Sequence, residues 1–181
     1  MSALEEVLAF WFAPDHIAKW YVKETPFDEA VRRHLGRHHE AACRGVYDGW
    51  RELPRGCLAL VVLLDQVPRN IYRDQARAFA SDPQARAVTH LALARGYHHA
   101  LVQRQRALLY MPLEHSETLS DQQLCCQLMA KISEEPKFLL SAEQHRDIVQ
   151  RFGRFPHRNA ALGRETTPEE AEFLREPNSS F

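Results

Sequence analysis

The chain is poor in the residues that announce many familiar chemistries. Glycine occurs only seven times in 181 residues, and neither G-x-G-x-x-G nor G-x-x-x-x-G-K-[ST] appears, which removes both common phosphate-cradling loops. The four cysteines, Cys43, Cys57, Cys125 and Cys126, show no C-x-x-C spacing, and a bond between the adjacent last two would strain a helix. Reduced thiols are therefore expected, as in the cytosol. No apolar run exceeds Cys57 to Leu64, far short of the roughly 20 residues of a membrane span. The first residues, Met1-Ser-Ala-Leu-Glu-Glu6, lack the basic start of a secretory signal. Cytoplasmic residence, with no membrane contact, is the expectation. Hairpin dipeptides of the Asn-Gly or Asp-Gly kind are absent as well.

What is present is an ordinary globular composition, 45% hydrophobic and 26% charged, well away from the disordered class. A chain of this size buries about 70% of its unfolded surface, so it needs neither disulfide nor metal to fold. The 23 basic and 24 acidic residues leave a net charge of −1, which argues against a nucleic-acid partner. One bias stands out. Lysine is confined to Lys19, Lys23, Lys131 and Lys137, and the other basic residues are arginine.

Helix punctuation dominates the chain. Ser2 with Glu5 forms a capping box for a helix through Leu8 and Trp11, stopped by Pro14. Thr25-Pro26 caps a helix with Phe27, Val31 and Leu35 on one stripe, ending near Gly45. Pro54 opens the apolar segment, which reads as a helix because its neighbours are helical and no second strand exists to pair with it. Asp82-Pro83 opens another helix to Arg95, with Gly96 as its stop. Ser120 with Gln123 predicts a helix over Asp121 to Ile132, Ser141 one over Ala142 to Phe152, and Thr167-Pro168 with Glu170 a short last one. The fold class is all-α: one domain over residues 1–175 and a short tail over 176–181. Trp11, Trp20 and Trp50 read as packing residues.

Three stretches carry more polar groups than a solvated face needs. The first, Leu64 to Asn70, holds Asp65, Gln66, Arg69 and Asn70. Asp65 shares a face with Leu58, Val61 and Val62 at the expected carboxyl end of the most buried helix, where a carboxylate requires a cation or several donors. The second, Tyr110 to Glu117, reads as a loop and places Glu114, His115, Ser116 and Glu117 together. A carboxylate and an imidazole so placed suit acid–base work near neutral pH. The third runs from Gln144 to Asn159, with Arg164 beyond. Its His145 faces Ile148, Val149 and Phe152, and His157 and Asn159 close it. Arg146, Arg151, Arg154, Arg158 and Arg164 stand there against one acid, Asp147. Guanidinium forks suit a carboxylate or phosphate, and they serve equally as internal partners for Asp65, Glu114 and Glu117. His115, His145, His157 and Glu117 have no metal spacing such as H-E-x-x-H, and the arginines would repel a cation, so no metal and no other cofactor is expected.

At these stretches the sequence resembles the bacterial domain-of-unknown-function family 924. The matching segments are Val7-Leu-Ala-Phe-Trp-Phe12, Trp20-Tyr21, Phe27-Asp28, Leu58 to Asn70, Ala78-Phe-Ala-Ser-Asp82, Tyr110-Met-Pro-Leu-Glu-His-Ser-Glu117, Arg151 to Asn159 and Leu162 to Glu170. They span essentially the whole chain in order, with small departures such as Val67 where phenylalanine is usual. The resemblance implies antiparallel helix pairs in a tetratricopeptide-like right-handed superhelix, which agrees with a faint helix–turn–helix pattern at Ala92 to Leu101. It carries no activity and no catalytic residue.

Two functions compete. The first is a binding or scaffold module whose stacked helices present a groove to a peptide or small partner. The second is an enzyme or sensor for a small anion, in which Asp65, Arg69, Glu114, His115, Glu117, Arg154, His157 and Arg158 converge on one pocket. RNA binding through the arginine-rich stretch is weaker, because that stretch is interleaved with apolar positions.

Overall fold

The computed structural model describes residues 1–177 and 179–180, and among them all regular structure is helical. Helix α1 spans Ala3–Trp11, and its Ser2 cap accepts from the Glu5 backbone N–H at 3.3 Å. Pro14 begins a short α2, Pro14–Ile17, as well as closing off α1, because proline at a first helical position sacrifices no hydrogen bond. In α3, Thr25–Cys43, Thr25 is already helical; Glu24 takes the cap position without a side-chain bond.

The apolar run forms the centre. Helix α4, Pro54–Val61, passes through a π-helical turn, Val62–Gln66, directly into α5, Val67–Ile71. Cys57 to Leu64 is buried throughout. At its start Gly56 lies against the Trp50 carbonyl, where a Cβ would come within 2.0 Å of the oxygen, so no other residue fits. Asp65 therefore does not sit at a helix end, as expected, but in the middle of a continuous helical rod.

Helix α6, Asp82–Ala94, ends at Gly96, whose φ of 67° is the left-handed conformation glycine tolerates. Ser81 precedes α6 but does not cap it, since its hydroxyl donates to the Leu64 carbonyl at 2.6 Å. Helix α7, Gln103–Glu114, absorbs most of the stretch read as a loop and carries Pro112 inside it. Near that break Thr89 Oγ1 donates to the Leu109 carbonyl at 2.9 Å. Helix α8, Leu119–Met129, begins one residue before Ser120, so the expected Ser120–Gln123 box does not form; Thr118 occupies the cap position. Helix α9, Lys137–Phe152, begins before Ser141 and stops at Gly153 (φ 70°). The short α10, Asn159–Leu162, and α11, Pro168–Phe173, follow, the latter with the expected Thr167–Glu170 capping box.

Helix α4 packs against α1, α6 and α7, while α3 lies along the π turn and α5. From α6 onward each long helix packs on the next, α6 on α7, α7 on α8 and α8 on α9, the neighbour-to-neighbour pattern of a helix stack. A small second core of Ile148, Val149, Phe155 and Phe173 holds the C-terminal segment. Within the tail read at 176–181, Ser179 is buried and its hydroxyl donates to the Leu174 carbonyl; Asn178 and Phe181 lie outside the described residues. No described helix is long and apolar enough to cross a membrane.

Candidate functional site

The π turn builds the floor of the site. Pro68 lacks the N–H that would bond the Leu64 carbonyl, and the turn widens so that the Val67 N–H bonds the Val62 carbonyl instead. Three successive carbonyls of this turn accept from side chains. His39 Nδ1 donates to Leu63 O at 2.8 Å, Ser81 Oγ to Leu64 O at 2.6 Å, and Arg69 to Asp65 O at 2.8 Å. The Asp65 carboxylate, with no exposure, receives His115 Nδ1 at 2.8 Å, Gln66 Nε2 at 2.6 Å and Arg69 at 3.1 Å. Burial pushes this carboxyl up, but Arg69 and His115 outweigh burial and hold it well below the usual carboxylate range. Arg69 also grips Asp82 with two bonds, at 2.8 and 3.0 Å.

The end of α7 supplies the facing groups. Since a carboxylate only accepts, His115 Nδ1 carries the proton toward Asp65, and its Nε2 is left as an acceptor on the opposite ring edge. Burial and the Arg69 charge lower the His115 pKa against the pull of Asp65, which keeps the ring neutral. Glu114 is buried beside it; Ser141 Oγ donates to its Oε1 at 2.6 Å. Burial drives the Glu114 pKa up to about 7, against that hydrogen bond and with help from the Asp65 charge. A carboxyl near half-protonation thus neighbours a neutral, oriented imidazole.

From α9, His145 donates through Nδ1 to the Ser141 carbonyl at 2.8 Å, and its ring centroid lies 6.1 Å from that of His115. Burial, then the nearness of His115, lowers its pKa to about 3. His157 is held down to about 4 by burial and Arg158. Arg158 packs on the rings of both Phe79 and Phe155, at 4.7 and 4.5 Å, and donates to the His115 carbonyl at 3.0 Å. Burial and Arg69 depress its pKa to about 10.

These groups surround a cavity of about 620 Å³, within the usual range for a small-molecule site. Gln66, Arg69, Asn70, Glu114, His115, His145, His157 and Arg158 line it, and Asp65 stands directly behind His115. Three candidates lie elsewhere. Arg154 grips Glu170 at 2.6 and 2.8 Å; Asn159 donates to the same carboxylate; Glu117 pairs with Arg164 and accepts from the Phe155 N–H. They tie the C-terminal segment together and do not line the cavity. Of the arginine-rich stretch, Arg164 meets an expected partner, Glu117, whereas Arg151 and Arg154 turn to Glu169 and Glu170.

Sequence reasoning missed the apolar wall, made by Trp20, Tyr21, Phe79, Met111 and Phe138. It also missed Asp28 and Asp82, the counter-ions of Arg73 and Arg69. In the sequence Asp82 is visible only as a helix opener, and of the wall aromatics only Trp20 reads as a packing residue. Among the described residues, no three His, Cys, Asp or Glu side chains converge as a metal ion requires.

No curated protein matches the chain. A solved structure of a protein of unknown function from Agrobacterium tumefaciens is similar over 96% of this chain and 97% of its own, at 42% identity and a TM-score of 0.89. The profile of the family described as bacterial protein of unknown function, DUF924, matches residues 7–178. The match takes in the fold from the middle of α1 onward, with every lining residue of the cavity except Ser180, and the chain belongs to the DUF924 family.

Proposed function

We propose that this protein binds a small molecule in the cavity and carries out proton transfer on it. His115 is the base, oriented by Asp65, and Glu114 is the acid. The carrying observation is the hydrogen bond from His115 Nδ1 to a fully buried Asp65, which fixes the tautomer and leaves Nε2 basic at the wall of a cavity. A core built for stability alone gains little from a desolvated carboxylate, because well-packed apolar groups do as well or better. The tetratricopeptide-like helix stack is then the frame that brings distant segments to one pocket. The cavity's size suits a compact ligand better than an extended peptide.

A thermal-shift screen of uncharged, anionic and cationic metabolites tests the reading, since a ligand that binds only the folded state must raise the melting temperature. Compounds that stabilise the wild-type chain and lose that effect in His115→Ala are the expected result. Stabilisation that survives both His115→Ala and Glu114→Gln would place the ligand elsewhere and overturn it.

A further inference from the structure

We propose that the ligand is an uncharged ring compound bearing several hydroxyl groups, rather than an anion; this rests on the reading of the cavity as a ligand site. The first argument is the direction in which the polar groups of the wall are already spent. Gln66 Nε2 gives its hydrogens to Asp65 Oδ2 at 2.6 Å and Met111 Sδ at 3.4 Å. Asn70 Nδ2 donates to Asp28 Oδ1 at 2.8 Å. Carboxylate oxygens do not donate, so neither amide can be turned around. Left over are one donor, the buried Arg158 Nε–H, which has no partner among the described residues, and four acceptors: Gln66 Oε1, Asn70 Oδ1, His115 Nε2 and, when Glu114 is ionised, its Oε2. No donor from the described residues reaches any of the four. A ligand that fills this space must bring hydrogens to them, because burying an acceptor without a donor is costly.

The second argument is charge. Arg69 is closed off by Asp65 and Asp82, Arg73 by Asp28 at 2.5 and 2.8 Å, and Lys137 by Glu135 at 3.0 Å. Arg158 has two aromatic rings against it, Phe79 at 4.7 Å and Phe155 at 4.5 Å, and Asp82 at 3.6 Å. An anion would have to compete with these resident carboxylates for every cation of the wall except Lys23, which is exposed and has no carboxylate partner among the described residues. A cation would be drawn into a wall that also carries Arg69, Arg73 and Arg158. A neutral donor meets neither cost. Third, Trp20, Phe79 and Phe138 give the cavity flat apolar surface, the counterpart of the C–H face of a saturated ring.

The test is a matched set of probes offered to the full chain: methyl glucoside and myo-inositol as neutral polyols, cyclohexanecarboxylate and inorganic phosphate as anions, and cyclohexylamine as cation. Binding is read by saturation-transfer NMR and by melting temperature. Expected at pH 8, where Glu114 is ionised, are saturable signals from the polyols, weakened about tenfold in Glu114→Gln, where the acceptor oxygen becomes a donor. Gln66→Met, which removes a second acceptor, should weaken them similarly, and circular dichroism confirms that both variants fold. Tighter binding of an anion or the amine than of either polyol overturns the proposed class and leaves the cavity reading standing. Absence of binding by every probe, charged and uncharged alike, overturns the cavity reading and the proposal with it.

Discussion

His115 Nδ1 lies 2.8 Å from Asp65 Oδ1, joining two helices across fifty residues of sequence. Because Asp65 also neutralises Arg69, its two partners are affected differently by its loss. Asp65→Asn leaves the Arg69 charge under-compensated and should destabilise the fold by about 3–5 kcal/mol. His115→Gln removes one neutral donor and should cost only about 1 kcal/mol. Urea unfolding of the two variants checks the ordering; equal costs would mean that the imidazole carries the structural load.

Glu114 gives the protein a pH dependence of definite sign. Its folded pKa, about 7, is raised above its ordinary value of 4.5. The protonated folded form is therefore favoured, and that contribution is complete below pH 4.5 and lost as pH rises through 7. Glu114→Gln should remove this loss, since the amide keeps an oxygen for the Ser141 hydroxyl. The variant should exceed the wild type in stability at pH 8 by about 2–3 kcal/mol, and the two melting curves should approach each other near pH 5.

Arg154 belongs to the C-terminal clamp, so its removal should act on stability and not on the cavity. It shares Glu170 with Asn159 and with the Thr167 N–H at 2.8 Å. Arg154→Ala should lower the melting temperature by roughly 4–8 °C for a chain of this length. Hydrogen exchange should quicken first in α11, while probe binding at the cavity is unchanged. A variant with unaltered stability and lost binding would return Arg154 to the site.

The π turn predicts a coupled pair of substitutions. Ser81→Ala strips the Leu64 carbonyl of its donor and should cost about 1–3 kcal/mol. Pro68→Ala restores a backbone N–H to the same region, so in that background the cost of Ser81→Ala should shrink. A double-mutant cycle measures the difference. Strict additivity would show that the hydroxyl and the proline act independently.

Much of the fold was legible because its helices are bounded by residues whose effect is local. Ser2, Pro54, Gly96, Gly153 and the Thr167–Glu170 pair each act through bonds within a few residues. The misreadings occur where tertiary contacts override those rules. Pro112 sits inside α7, where Thr89 of a neighbouring helix bonds the nearby Leu109 carbonyl, and Ser81 and Ser141 hold cap-like positions in sequence but spend their hydroxyls on Leu64 and Glu114. The site was legible as three polar stretches, but its partition was not. Whether an arginine faces a ligand or a carboxylate depends on residues such as Asp28, Asp82 and Glu170, which share no local pattern with it.

The cavity wall draws on the segment around Trp20, on Gln66 to Phe79, on the end of α7, on the first half of α9 and on residues around Arg158. No contiguous fragment contains enough of it to bind. Occupancy is therefore coupled to folding of the entire chain: a ligand should slow hydrogen exchange as much in distant core amides of α4 as in those beside it. Any lesion that opens one contributing segment will weaken binding even where it touches no lining residue. In this architecture ligand affinity is a reporter of global integrity.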